Sequence, residues 1–106
     1  MKKPFFSILL PVYNGEDVLV GLLNSISNQS YKNFEVLVCD DCSNDASVKY
    51  IEEWVKDTWC TVIFHKNSKN LGVGLTQLKN LKASSGDFVV LAAQDHIWHH
   101  DRLQET

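Results

Sequence analysis

An α/β fold, with a mostly parallel sheet of about four strands covered by helices on both faces, follows from three observations. Four short apolar runs alternate with three segments of helical periodicity, and the connections between them are short. The second run is apolar almost throughout, as a strand buried on both faces is. With 106 residues, 44% of them hydrophobic, the chain suits one domain spanning 1–106 around a single core.

Phe6 to Val12 is the first strand, closed by Pro11, which cannot donate to a ladder and belongs near a strand end. After Asn14-Gly15, the residues Val18, Leu19, Leu22, Leu23 and Ile26 recur at helical spacing, with Glu16 and Asp17 placed for a first turn whose dipole favours anions. Phe34 to Cys39 is the second strand and runs into Asp40-Asp41-Cys42-Ser43-Asn44-Asp45, whose polar side chains suit the start of a helix. In that second helix Val48, Ile51 and Val55 form the expected buried stripe, with Trp54 at its edge. Cys60 to Phe64, β-branched and aromatic, is the third strand. Asn67 to Gly72 is a loop, Leu75, Leu78 and Leu81 predict a third helix that ends before Gly86, and Phe88 to Ala92 is the fourth strand. The charged end, Asp101 to Thr106, has helical character without a terminating Gly or Pro, and predicts an element cut short within a longer parent.

Composition excludes several classes of function. The net charge of -3 and the lack of any Lys/Arg run leave no field to attract nucleic acid. No apolar stretch approaches the roughly 20 residues that cross a bilayer, and the start lacks a small-residue cleavage site, so a cytoplasmic location is expected. Cys39, Cys42 and Cys60 are an odd set with no export signal and are expected as reduced thiols.

In open parallel sheets the ligand lies outside the carboxyl ends of the strands, where the strand order reverses. Pro11-Val-Tyr-Asn14, Asp40-Asp41 and Gln94-Asp95-His96 all fall at such ends and should converge on one rim. Asp40 and Asp41 can accept hydrogen bonds from a ribose or base, or cap the helix that follows; capping suits Asp41 better than Asp40. Asp95 can bind a hard metal that takes its remaining ligands from phosphates and water, or close a turn through its own backbone. His96, His99, His100, Asp95 and Asp101 suggest zinc only if His96 and His99 share a helix face, and no second ligand pair accompanies them; a phosphate contact by one His fits better. Cys39-Asp-Asp-Cys42 has the spacing of a redox pair, but its acidic neighbours oppose a reactive thiolate. Gly72-Val-Gly74 lacks the third glycine of a dinucleotide fingerprint and follows the wrong strand, which removes a Rossmann-type oxidoreductase. Trp54, Trp59 and Trp98 are expected in the core or at its edge.

Taken together, Ser7-Ile-Leu-Leu-Pro-Val-Tyr-Asn14, Phe34-Glu-Val-Leu-Val-Cys-Asp-Asp-Cys-Ser43, Asn70-Leu-Gly-Val-Gly74 and Gly86-Asp-Phe-Val-Val-Leu-Ala-Ala-Gln-Asp-His-Ile-Trp98 resemble the family 2 glycosyltransferases of the GT-A fold, in order and in spacing. The resemblance implies a GT-A-like, Rossmann-like domain, truncated here, that forms the nucleotide-sugar-binding part of a longer enzyme. It implies transfer of a sugar from a nucleotide diphosphate donor, commonly a UDP-sugar, to a glycan or lipid-linked acceptor with inversion, aided by Mn2+ or Mg2+. By the same resemblance Pro11, Tyr13 and Asn14 lie against the nucleotide, Asp40 and Asp41 contact base and ribose, Asn70 and Gly72 form a loop near the nucleotide, and Asp95 meets metal and diphosphate. The catalytic base is expected beyond residue 106, the fragment alone should not transfer, and the parent is expected at the inner face of the membrane.

Some positions depart from the family pattern. Ala93 stands where the first acid of the Asp-x-Asp motif belongs, and His96 where a following Asp is common. Gln77, Leu78 and Asn80 occupy the places of an Arg, an Asn and a Gly in the third helix, and Asn28-Gln-Ser-Tyr31 matches a structural Gln-x-Tyr connection loosely. Ala93 and His96 motivate the alternative, a binding or regulatory module of the same fold without metal chemistry. Self-association of the truncated form is the remaining question about partners.

Overall fold

The computed structural model describes residues 3–105. Its elements run β1 (Phe6–Val12), α1 (Leu19–Ser27), β2 (Phe34–Asp40), α2 (Ser47–Asp57), β3 (Thr61–Lys66), α3 (Val73–Ala83) and β4 (Phe88–Leu91). The sheet has the order β3-β2-β1-β4 with every neighbouring pair parallel. The chain therefore winds outward from β1 through β2 to β3, then crosses back to the other side of β1. The strand order reverses between β1 and β4, the position at which such sheets open a ligand crevice.

The two faces of the sheet are built differently. Ile8, Leu10, Val12, Val36 and Val38 point to the side of α1 and α2 and meet Leu19, Leu22, Leu23, Ile26, Ile51 and Trp54 in one buried apolar cluster. The alternate residues, among them Ser7, Leu9, Glu35 and Cys39, are also buried but face α3, which packs on β1 and β2. This second face sets polar Ser7 and Glu35 beside apolar Leu9, Leu37 and Cys39. Ser7 Oγ donates to Glu35 Oε2 at 2.6 Å, Ser85 N–H donates to the same oxygen at 2.8 Å, and Gly86 N–H donates to Ser7 Oγ at 2.8 Å. The network pins the loop before β4 to the amino ends of β1 and β2. A Cβ on Gly86 would lie 2.6 Å from Ser7 N, so only glycine fits that approach.

Helix α3 departs from the orientation its leucines predict. Its leucine stripe does not face the sheet: Leu75, Leu78 and Leu81 are 55%, 42% and 47% exposed, and the buried residues are Thr76 and Asn80. Period alone identified the helix but not its inner side, where Thr76 Oγ1 accepts from Asn67 Nδ2 and Gln77 Nε2 donates to Leu9 O. In α2 the inner stripe is Ser47, Ile51 and Trp54, with Val55 outside it. Trp59 is half exposed, donating from its indole to Ser27 O while Lys32 sits over its ring.

Helix α1 starts at Leu19, after Glu16 and Asp17, which therefore do not occupy its first turn. Glu16 is used elsewhere: its N–H donates to Asp45 Oδ2 and its carboxylate accepts from Ala46 N–H, lacing the first loop to the second. The carboxyl-terminal segment forms turns rather than a helix, so His96 and His99 share no helix face. It is held by buried Gln29, whose amide accepts from Leu103 N–H at 3.0 Å and donates to His99 O at 2.7 Å. The Gln-x-Tyr connection is thus structural: Tyr31 also bonds Pro4 O through its hydroxyl. Among the described residues no helix is long and apolar enough to cross a membrane.

Candidate functional site

At the carboxyl ends of β1 and β4 the sheet opens into a cleft of about 640 Å3. Pro11 and Tyr13 come from the end of β1, Asp41 from the end of β2, Asn70 and Gly72 from the loop before α3, and Asp95 from the turn after β4. Six of the eight residues singled out in the sequence therefore meet in one place. Asn14 and Asp40 stand outside the lining.

Asp41 is the most heavily bonded group of the cleft. One carboxylate oxygen accepts from Asn67 Nδ2 at 3.0 Å and Leu71 N–H at 2.7 Å, and the other accepts from Gly72 N–H at 2.9 Å. Burial pushes its carboxyl up, but these donors together with the Thr76 hydroxyl outweigh it and hold the group below the usual carboxylate range. Asp41 thus stays ionised and fixes the Asn70–Gly72 loop. Gly72 has a φ of 89°, a conformation that favours glycine, which lets two successive N–H groups turn toward one carboxylate.

Neither Asp40 nor Asp41 caps α2, whose N-cap position, Ala46, carries no side-chain cap bond; Asp40 instead serves the loop before it. It is buried and accepts from Ser43 N–H at 2.9 Å and Ser43 Oγ at 2.6 Å, closing the turn after β2. Alternation along β2 is the reason: Asp40 points to the α1/α2 side like Val36 and Val38, whereas Asp41 lies past the strand end. Asn14 likewise acts between loops. Its φ of 46° lies in the left-handed region that Asn tolerates, its N–H donates to Ser43 Oγ and its Oδ1 accepts from Asn44 N–H. Gly15 N–H donates to Ser47 Oγ at 2.8 Å in the same seam. Both residues support the rim from behind and do not line it.

The third part of the rim is the turn 93–96. Gln94 Oε1 accepts from Tyr13 N–H at 2.8 Å and its Nε2 donates to Tyr13 O at 3.0 Å. Asp95 lines the cleft, is exposed, and takes part in no hydrogen bond or ion pair among the described residues. Among those residues no three His, Cys, Asp or Glu side chains gather into a metal-holding group, so any cation here would rest on Asp95 and on oxygens of a ligand. A lone carboxylate would suit a hard divalent ion that takes its other oxygens from a ligand and water, and does not suit a closed zinc site.

Sequence reading placed Gln94 in a rim cluster without giving it a role, and missed Asn67 and Thr76. Asn67 is buried, donates to Asp41 and Thr76, and accepts from Lys79 Nζ at 2.8 Å, so it aims the Asp41 carboxylate. Only its place directly after a strand marked it. The three cysteines are free; Cys39 is buried, and burial pushes its thiol up, with Asp40 and Asp41 adding to the rise and Lys79 opposing it.

The sequence profile of glycosyl transferase family 2 matches residues 7–106. The chain is 32% identical over 109 residues to the amylovoran biosynthesis glycosyltransferase AmsB of Erwinia amylovora, covering 100% of this chain and 36% of that protein. It is 32% identical over 98 residues to the UDP-Glc:alpha-D-GlcNAc-diphosphoundecaprenol beta-1,3-glucosyltransferase WfgD of Escherichia coli, covering 92% and 38%. Its fold superposes with a TM-score of 0.88 on residues 1–349 of Staphylococcus aureus TarS in complex with UDP, at 31% identity, covering 95% of this chain and 30% of that one. The chain thus spans between a quarter and a half of the length of each of these proteins.

Proposed function

The chain belongs to glycosyl transferase family 2, and from that premise we propose that it is the donor-binding portion of a glycosyltransferase that builds a polysaccharide or lipid-linked glycan, with a UDP-sugar in the cleft. The observation that carries this reading is the convergence of Pro11, Tyr13, Asp41, Asn70, Gly72 and Asp95 at the strand-order reversal. The UDP complex of TarS supports the nucleotide, and the diphosphoundecaprenol-linked substrate in the name of WfgD supports a lipid-linked acceptor.

In this scheme Asp41 and the loop it holds face the base, Tyr13 lies against the nucleoside, and Asn70 and Gly72 close over it. Asp95 would hold Mn2+ or Mg2+, which when bound would offset the negative charge of the departing diphosphate. Among the described residues no Lys, Arg or His lines the cleft, so their side chains leave that charge unmatched. Of the two carboxylates in the lining, Asp41 is engaged by the loop and Asp95 is assigned to the cation. The base that activates the acceptor is therefore placed in the part of the longer family members that this chain does not span, and inversion at the sugar is proposed with it. We place the protein in the cytoplasm, with the parent at the inner membrane face, where a lipid-linked acceptor would be met.

Calorimetric titration of UDP with and without Mn2+, with GDP and NAD as controls, tests the site. UDP binding that strengthens with Mn2+, and an Asp95→Ala variant that loses at least about tenfold of that gain, are expected. Equal binding with and without metal in both proteins would remove the metal from the scheme. The exposed apolar surface of α3 and β4 bears on partners: Leu78, Leu81, Val89 and Leu91 are all open to solvent. In isolation the chain should self-associate through it. Sedimentation should show larger species at high concentration that Leu78→Lys with Val89→Lys disperses; a monomer at all concentrations would refute this.

A further inference from the structure

We propose that Gln94 is a positioning residue that joins the turn after β1 to the turn after β4, so that Tyr13 and Asp95 are presented to the donor as one rigid rim. The inference rests on the donor-site reading and deepens it. Ala93 brings no polar side-chain group to this turn, and the Asp95 side chain is held by no partner among the described residues, so the placing of Asp95 must come from its backbone. Ala92 N–H still reaches Leu9 O at 2.9 Å, and Trp98 N–H reaches Ser25 Oγ at 3.0 Å. Between those two anchors, the Gln94 amide makes the hydrogen bonds that fasten the turn to the rest of the chain; the His96 N–H bond to Ala93 O at 3.1 Å is internal to it.

The geometry is that of a strand pair made by a side chain. Oε1 and Nε2 of Gln94 take up both the N–H and the carbonyl of Tyr13, the two backbone groups a neighbouring strand would have paired. A carboxylate could satisfy the N–H but not the carbonyl, and a shorter amide would not reach both. A second observation shows that the fold makes room for this contact. Gly15 is buried, and a Cβ there would lie 2.9 Å from Gln94 Oε1 and 3.0 Å from Gln94 Cδ. Gly15 does not line the cleft, so its substitution disturbs the clamp without touching the ligand's surroundings.

The test uses the 106-residue chain with Gln94→Met, which keeps length and loses both hydrogen bonds, and Gly15→Ala, which displaces the amide. Amide exchange by NMR should show Tyr13 N–H losing protection by about tenfold or more in both variants, while Asp41 N–H, bonded to Val12 O at 2.8 Å, keeps its protection. The affinity for UDP in Mn2+ should fall by about tenfold or more in both, with the midpoint of thermal unfolding nearly unchanged, because partners that orient a metal ligand are typically worth that much. Wild-type protection of Tyr13 N–H in Gln94→Met would overturn the clamp. Lost protection with undiminished UDP affinity would overturn its positioning role. Failure of the unaltered chain to bind UDP would instead sink the donor-site reading, and the exchange data would then still decide whether Gln94 ties the two turns together.

Discussion

Asp41→Ala is expected to destabilise the chain by about 3 kcal/mol and to weaken UDP binding by at least about tenfold, as the loss of a buried charged acceptor implies. The reason lies in what is left behind. Leu71 N–H, Gly72 N–H and Asn67 Nδ2 lose their acceptor at once, and the Asn70–Gly72 loop loses the group that shapes it. Asp41→Asn should fall between, since one oxygen remains but an NH2 group would then oppose Gly72 N–H. Urea unfolding and UDP titration of the three proteins check this; a midpoint unmoved by Asp41→Ala would refute the network.

The same carboxylate gives the chain an acid-sensitive element. Its folded pKa lies below the unfolded value of about 3.9, so its contribution is complete above that value and is lost as the pH falls through the lower, folded one. Asp45 behaves alike: burial raises its carboxyl, but the Ser47 hydroxyl and N–H and the Glu16 N–H outweigh that and lower it. Stability measured downward from pH 5 should therefore drop less steeply in Asp41→Asn than in the unaltered chain.

Glu35→Ala should cost a similar amount, about 2 to 4 kcal/mol, while leaving nucleotide binding nearly unchanged. Glu35 is buried at the amino ends of the strands, across the sheet from the cleft, and accepts from the Ser7 hydroxyl, the Ser85 N–H and the Ser85 hydroxyl. Removing it strands these donors on a face with no water to replace it and frees the loop that leads into β4. Glu35→Gln, which keeps the volume and one acceptor, should recover part of the loss. Equal losses of UDP affinity and of stability in Glu35→Ala would mean that the two ends of the sheet are not independent.

Much of the architecture was legible in the sequence for plain physical reasons. Buried parallel strands need continuous apolar runs, and Phe6 to Val12 and Phe34 to Cys39 supply them; the third and fourth strands were found with ends shifted by a residue or two. Strand ends in a parallel sheet share one edge, so Tyr13, Asp41 and Asp95 were bound to approach each other once the strands were recognised. The family motifs at those ends pointed to the same rim, and the profile match over 7–106 agrees with them.

Direction of side chains was what the one-dimensional pattern left open. Asp40 and Asp41 are neighbours of identical chemistry, and only the pleat, set by the pairing of Val12 with Asp40, sends one into a turn and the other to the cleft. Leu75, Leu78 and Leu81 carry helical spacing, yet the side of α3 that turns inward bears Thr76 and Gln77, which bond Asn67 and Leu9 O, partners remote in sequence or on another element. Gln94 and Asn67 look like loop residues because their partners, Tyr13 and Asp41, are remote in sequence and near only after folding. The sequence by itself determined the family, the element order and the rim, since these rest on local period and short motifs; tertiary structure alone decided which side chains face the ligand and which hold them there, since that depends on register and on contacts between loops far apart in the chain.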